Sequence, residues 1–136
     1  MSYRGIENWF GHVWKFVDGF NVNNNIPYLT NNSANWTDDT ASNYTRPNNV
    51  LGDAVTMIGT SGYSATLLQI STGFLPKTVG ASSSTKLTDY YSQSSGWRVA
   101  LLGGNSNHGA QAGGFCWNLA LSSADLYRYF GGRLSF

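Results

Sequence analysis

Alternating large apolar residues predict two strands in the first and last parts of the chain. In the stretch 12–22, HVWKFVDGFNV, an extended backbone places Trp14, Phe16 and Phe20 on one side, with Val13 and Val17 on the other. Apolar residues on both sides are typical of a largely buried strand. The run WRVALL indicates a second strand from Trp97 to Leu102.

The closing part of the chain shows a period of two. In GFCWNLA, the large apolar residues alternate with smaller or polar ones, which predicts a strand with Phe115, Trp117 and Leu119 buried on one face. The opposite face then carries Cys116, Asn118 and Ala120 and is expected to be accessible. A final short strand with Leu134 and Phe136 is predicted after the Gly131-Gly132 pair.

The remaining segments read mainly as loops. Residues 26–32 suit a short edge strand, because Pro27 cannot donate to a ladder. Residues 33–49 are polar and predict a long loop pinned by Trp36 and Tyr44. Further apolar anchors lie at 67–70 and at a predicted corner, Phe74-Leu75-Pro76, and residues 122–130 allow one or two helical turns. No helix has convincing caps and periodicity, so the chain is expected to be mostly β with long irregular loops.

Composition limits the function classes. The chain has 136 residues, which suit one domain, and 41% of them are hydrophobic, enough for a core without disulfides. Only 11% are charged and the net charge is +1, which disfavours nucleic acid and anionic membranes as partners. No apolar run approaches the roughly 18 residues of a membrane span. Gly, Ser, Thr and Asn are frequent where charged residues would usually form the surface, and this composition is typical of adaptable binding surfaces.

Three motifs carry a resemblance to a known family. GHVWKFVDGF resembles the GNVWEW-type strand of the formylglycine-generating-enzyme subgroup of C-type lectin folds. WRVALLGG together with the terminal GGRLSF resembles the RGGSW and GFRL framework of that subgroup. The order YRGIENWFGHVWKFVDG, then GG, AG, F-x-W and GGRL, is similar to phage and prophage proteins that retroelements diversify. The matched motifs cover the first fifth and the last third of the chain.

The resemblance implies a single α+β, mostly β, C-type lectin-like domain over residues 1–136, with a variable region at 103–136. Met1 stands directly before sequence typical of the middle of a domain, so we expect the C-terminal part of a longer protein. In such systems adenines of a template are replaced during copying, and asparagine codons change into many residue types. Such codons account for most of the unusual side chains in the region, and a lysine codon would account for Gln111.

The predicted geometry fits this mechanism. Side chains opposite a buried strand face can change with little loss of burial, and surface changes usually alter stability by only about 0.5 kcal/mol. The glycines at 103, 104, 109, 113, 114, 131 and 132 would hold turns and close backbone contacts. The predicted recognition set is Asn105, Ser106, Asn107, His108, Gln111, Cys116, Asn118, Ala120, Leu121, Leu126, Tyr127, Tyr129 and Phe130.

The family implies a variable receptor-binding module at a phage tail-fibre tip or on a bacterial cell surface. Its expected partner is a bacterial surface protein or glycan, and oligomerisation, for instance as a trimer, would add avidity. No catalytic residue, metal or cofactor is predicted: the EPN, QPD and WND motifs of calcium-dependent lectins are missing. Two alternatives stay open, a formylglycine-generating-type metal oxidase built around Cys116 and a structural virion domain without a ligand. The oxidase is disfavoured because that family uses two cysteines and this chain has one.

Overall fold

A computed structural model describes residues 2–3, 6–7, 9–37, 39–85 and 87–131 of the chain. These residues are mostly β, as predicted, and their helical structure consists of two short 3-10 helices at Ser33–Asn35 and Gly109–Gln111. The strands are β1 (Ser2–Tyr3), β2 (Ile6–Glu7), β3 (Trp14–Asn23), β4 (Ile26–Leu29), β5 (Gly62–Ile70), β6 (Gly73–Val79), β7 (Tyr90–Gln93), β8 (Trp97–Leu102), β9 (Trp117–Leu119) and β10 (Phe130–Gly131). The strand predicted at residues 97–102 is confirmed.

Eight of these strands form one curled sheet in the order β10-β3-β8-β9-β7-β5-β6, with β4 pairing to β3. The pairs β10-β3 and β7-β9 are parallel, and the other pairs in the sheet are antiparallel. Strands β1 and β2 form a separate antiparallel pair. The last third of the chain therefore inserts β8 and β9 into the middle of the sheet and adds β10 at one edge.

Strand β3 differs from its prediction in where it begins and in which side chains it buries. It starts at Trp14, and its register against β8 shifts between Phe16 and Asn21. Such a shift interrupts the alternation of side chains between the two faces. Phe16 is consequently 45% exposed, whereas Phe20 and Val22 are buried.

Two hydrophobic clusters lie against the sheet. The larger one, the main core, contains Phe20, Val22, Val55, Met57, Ile70, Leu75, Tyr91, Ala100, Trp117 and Leu119. The smaller one, the minor core, contains Trp14, Leu101 and Cys116, with Tyr90, Leu121, Tyr129 and Phe130 packed against it. Ala100 and Leu102 contact the main core while Leu101 lies in the minor core, so the two clusters lie on opposite faces of β8.

The hairpin of β5 and β6 was not predicted. Its residues were interpreted as isolated apolar anchors with a corner at 74–76, yet Phe74, Leu75 and Pro76 all lie within β6. The two strands mix exposed and buried positions irregularly because their register shifts on both sides of Thr66. Strand β7 was also missed. Burial alternates regularly along β7, but one of its two buried positions is the polar Gln93, so the sequence YYSQ shows no apolar alternation.

The long loop after β4 is held by polar contacts. Its Tyr44 is buried, as predicted, and the tyrosine Oη accepts the N–H of Thr37 at 3.0 Å. Asn21 on β3 donates its side-chain amide to the carbonyls of Thr37 and Thr40 at 2.8 and 2.9 Å. Trp36 also packs against β3, because its indole Nε1 lies 3.0 Å from the place that a Cβ on Gly19 would occupy, although the residue is 49% exposed. Residues 26–32 do contain the predicted short strand, β4.

The end of the chain is only partly described. Residues 122–130 form turns and the first residue of β10, without a helix. The predicted strand at Leu134 and Phe136 lies outside the described residues. In the part of the chain that the structure describes, neither helix has the length and apolar character needed to cross a bilayer.

Candidate functional site

The candidate site lies on the face of the sheet that the minor core covers. Side chains alternate between the two faces of the sheet along strand β9. Trp117 and Leu119 lie in the main core, and Asn118 between them points to the opposite face. This confirms the predicted orientation of Asn118. The minor core beneath the site is built from Trp14 of β3, Leu101 of β8 and Cys116.

Glycines shape the segment between β8 and β9. Gly104 has φ +74°, and a Cβ there would lie 2.8 Å from the Cβ of Ala112. A Cβ on Gly113 would overlap the carboxylate of Asp89, which accepts the N–H of Phe115. These close contacts fold residues 103–116 back onto the sheet, where Gly103 N–H donates to the Cys116 carbonyl at 2.9 Å. The predicted structural role of these glycines is confirmed at both positions.

Asn105 organises the turn that presents His108. The Asn105 side chain is only 4% exposed, and its Oδ1 accepts the N–H of Asn107 at 3.0 Å. The same oxygen lies 2.6 Å from Nδ1 of His108. An amide oxygen can only accept, and the Asn107 N–H identifies this atom as the oxygen, so the 2.6 Å contact assigns the proton to Nδ1 over the longer, 3.5 Å contact of Nδ1 with the Asn105 N–H. The lone pair of a neutral imidazole is then on Nε2. Burial lowers the pKa of His108, which favours this neutral form.

A second set of turns presents the aromatic residues of the site. Ser122 donates both its N–H and its Oγ–H to the Asp125 carboxylate, at 2.7 and 3.0 Å. Farther along, Phe130 N–H donates to the carbonyl of Tyr127 at 3.0 Å. The Tyr129 carbonyl accepts the N–H of Trp14 at 2.9 Å, which fixes this turn to the first residue of β3.

The aromatic side chains of this turn form one cluster. The rings of Tyr127 and Tyr129 are stacked, with centroids 5.1 Å apart and planes 7° from parallel. The ring of Phe130 packs edge-on against both tyrosines at 5.1 and 5.3 Å. Phe16 of β3 packs edge-on against Phe130 at 5.7 Å. These mutual contacts hold the two tyrosines in place, although Tyr127 remains 46% exposed.

Two neighbouring depressions share Tyr127. The first, called the tyrosine pocket below, has a volume of about 300 Å³ and is lined by Trp14, Asn105, Asn107, His108, Asn118, Leu121, Tyr127 and Tyr129. The second, the adjacent cleft, has a volume of about 480 Å³ and is lined by Phe16, Leu126, Tyr127, Arg128, Phe130 and Gly131. Both volumes are within or near the range of small-molecule sites, about 300 to 1,000 Å³.

Most of the predicted recognition set is brought together here. Seven of its thirteen members line the tyrosine pocket, and Leu126 and Phe130 line the adjacent cleft. Ser106, Gln111 and Ala120 do not line either depression, although Ser106 is exposed and the other two are half-buried. Asn105 was expected on the surface, whereas it is buried at the pocket wall because its side chain closes the turn.

The predictions that Cys116 is accessible and that Phe115 is buried are wrong. Cys116 does lie on the face opposite Trp117 and Leu119, but Trp14 and Leu101 of the minor core cover it there. Phe115 lies before strand β9, in the turn closed by Cys116 N–H to the Gly113 carbonyl at 3.1 Å, and is not part of the main core. Phe115 is exposed, while Cys116 is 1% exposed within the minor core. Burial raises the pKa of the Cys116 thiol to about 12. The thiol therefore stays protonated at neutral pH.

His108 and Cys116, the two most reactive side chains near the site, have separate partners. The Nδ1 atom of His108 bonds to Asn105, and Cys116 has no hydrogen bond to that histidine. Among residues 2–3, 6–7, 9–37, 39–85 and 87–131, no three His, Cys, Asp or Glu side chains come close enough to hold a metal ion.

Four lining residues were not assigned to the site from the sequence: Trp14, Phe16, Arg128 and Gly131, the last of which was expected only to hold a turn. Trp14, interpreted as ordinary core, contacts the His108 ring edge-on at 5.1 Å and lines the tyrosine pocket. Phe16 and Arg128 line the adjacent cleft. Trp14 and Phe16 reach the site only because β10 pairs with the start of β3. No local pattern in the sequence indicates that pairing.

Comparison of the chain with protein-family models, with curated proteins and with solved structures gave no match.

Proposed function

We propose that this chain is a variable receptor-binding domain with a C-type lectin-like fold, whose residues 103–136 are diversified by a retroelement. The observation that carries the proposal is the convergence of nine predicted variable residues on two adjoining depressions. They come from three separate segments, 105–108, 118–121 and 126–130, which only the folded chain brings together. A surface built this way suits recognition of an external ligand.

The contacts beneath the site support tolerance of sequence change. The rim side chains of Asn107, Leu126 and Tyr127 are exposed. None of the residues that form the main core belongs to the predicted recognition set. Replacement of an exposed rim residue removes little buried area, so it costs little stability. The binding surface can therefore vary while the fold persists.

The arrangement of the resembling motifs also supports the proposed lectin-like fold. GHVWKFVDGF contributes most of β3, and WRVALLGG contributes β8. The two strands pair antiparallel next to each other in the sheet. Two motifs that are far apart in sequence thus form adjacent strands, as expected if both belong to the framework of the family that they resemble.

Binding at a phage tail-fibre tip or a bacterial cell surface would use these depressions against a host surface molecule. A single depression of about 300 Å³ buries a modest area, so one copy is expected to bind weakly. Several copies on one fibre, for instance a trimer, would strengthen attachment through effective concentration. The domain is proposed as a binder and not as an enzyme.

Sequencing of the DNA downstream of the coding region tests the retroelement origin. The expected result is a near-identical repeat of the sequence encoding residues 103–136, differing at adenines, beside a reverse transcriptase gene. Without such a repeat, the diversification part of the proposal fails. Adsorption of the protein to candidate host cells tests the binding part: Asn107→Ala combined with Tyr127→Ala should reduce it, and unchanged adsorption would contradict a receptor-binding role for this site.

A further inference from the structure

We infer that the tyrosine pocket binds an uncharged, hydroxyl-rich ring, that is, a neutral hexose or deoxyhexose unit of a glycan, without a metal ion. This inference rests on the proposed binding function and specifies its ligand class. It concerns the pocket lined by Trp14 and by residues of segments 105–108, 118–121 and 127–129.

The first argument is the absence of charge. None of the eight lining residues is Asp, Glu, Lys or Arg, within the part of the chain that the structure describes. The only titratable lining group near neutral pH is His108, and burial lowers its pKa. A charged ligand would have to leave water without an opposite charge to pair with, which is unfavourable. The pocket therefore selects against acidic and basic ligands.

The second argument is the supply of hydrogen-bonding groups that have no partner. Asn118 uses its Oδ1 to accept the N–H of Ala120 at 2.9 Å, which leaves its Nδ2 donors free among the described residues. The side-chain amide of Asn107 and the hydroxyls of Tyr127 and Tyr129 likewise have no protein partner there. His108 adds an acceptor at Nε2, because its Nδ1 donates to Asn105. Donors and acceptors together match hydroxyl groups, each of which can donate and accept.

The third argument is the combination of size and aromatic surface. A volume of about 300 Å³ is at the lower end of the range for small-molecule sites, which suits one sugar ring rather than a larger ligand. The stacked rings of Tyr127 and Tyr129 and the side chain of Leu121 supply an apolar wall. A pyranose presents C–H groups on its faces and hydroxyls at its rim, so it can contact this wall and the amides at once.

A protein ligand is the competing class. Stable protein interfaces bury about 800 Å² per partner and are enriched in arginine and large aromatic anchors. The tyrosine pocket is far smaller than such an interface and has no charged lining residue; the one nearby arginine, Arg128, lines the adjacent cleft instead. These features favour the glycan, and the experiments below separate the two.

The direct test measures saturation-transfer NMR from the purified protein to defined methyl glycosides. The probes are the glycosides of glucose, galactose, mannose, N-acetylglucosamine, rhamnose and fucose, together with charged glucuronate and glucosamine. We expect transfer to at least one neutral sugar, unchanged by EDTA, and at least tenfold weaker binding of its charged counterparts. Transfer to none of the neutral sugars, equal binding of charged sugars, or loss of binding with EDTA would each overturn the inference.

Variants then locate the sugar. Tyr129→Phe keeps the ring stack and removes one hydroxyl, and Asn107→Ala removes an exposed amide that has no partner among the described residues. Each should weaken binding about five- to tenfold, the usual loss for one hydrogen bond to a ligand. The matched controls are Tyr28→Phe, whose ring packs on Trp97 at 5.8 Å outside the pocket, and exposed Asn43→Ala. Equal effects of site and control variants would place the sugar elsewhere.

A cell-binding experiment separates failure of this inference from failure of the proposed function. Host cells that bind the protein are treated either with periodate, which cleaves sugar diols, or with protease. Loss of binding after periodate alone supports the inference. Loss after protease alone indicates a protein receptor and overturns the glycan assignment, while the receptor-binding function survives. Binding that resists the Asn107→Ala and Tyr127→Ala changes would refute the proposed function itself.

Discussion

Substitution of Cys116 tests whether this position belongs to the variable surface or to the core. Its side chain is 1% exposed and packs with Trp14 and Leu101 in the minor core. There is consequently no room for a larger residue. Cys116→Tyr should destabilise the fold by about 3 kcal/mol, a cost at the upper end for overpacking. Cys116→Ala should cost about 1 to 2 kcal/mol, because it removes one buried sulfur and leaves a small cavity.

Thermal unfolding followed by circular dichroism measures these differences. For a chain of this length, about 1 kcal/mol corresponds to a change in Tm of roughly 3 to 5 °C, so Cys116→Tyr should lower Tm by about 10 °C or more. Asn107→Tyr, at an exposed rim position, is the matched control and should stay within about 0.5 kcal/mol of the parent protein. If Cys116→Tyr also stayed within that limit, the assignment of Cys116 to the minor core would be wrong.

Three further predictions concern the turns and the pocket. Gly113→Ala should destabilise the fold by about 2 to 3 kcal/mol in urea unfolding, because its Cβ would overlap the Asp89 carboxylate; a loss below about 0.5 kcal/mol would contradict this contact. Because burial lowers the folded pKa of His108 below its unfolded value of about 6.5, stability should decline as pH falls through and below that value. The His108→Gln variant should lose this part of the decline, whereas exposed His12→Gln should keep it, and identical pH profiles would refute the assignment. Tyr127→Ala should weaken ligand binding about tenfold with less than about 1 kcal/mol of lost stability, and a larger loss in unfolding would show a mainly structural role.

The sequence predicted the most regular parts of the fold well. The strand at 97–102 is confirmed because its apolar run is buried on both faces, and such a run is a strong local signal. The hairpin of β5 and β6 escaped prediction because its register shifts and its exposed positions remove the alternation. The outward orientation of Asn118 follows from the period of two along β9 and is confirmed. The same period gives the correct face for Cys116, but it could not show that Trp14 and Leu101 cover that residue there.

By itself, the sequence determined that the chain is mostly β, that glycines frame its last third, and that unusual polar and aromatic residues concentrate there, because these are local properties of composition and spacing. Only the tertiary structure decided which of those residues form a site. The parallel pairing of β10 with β3 places Trp14 beneath Tyr129, and the turn at Asn105 orients His108 beside that tryptophan. Contacts between residues more than ninety positions apart depend on the packing of the whole sheet, which no local pattern encodes.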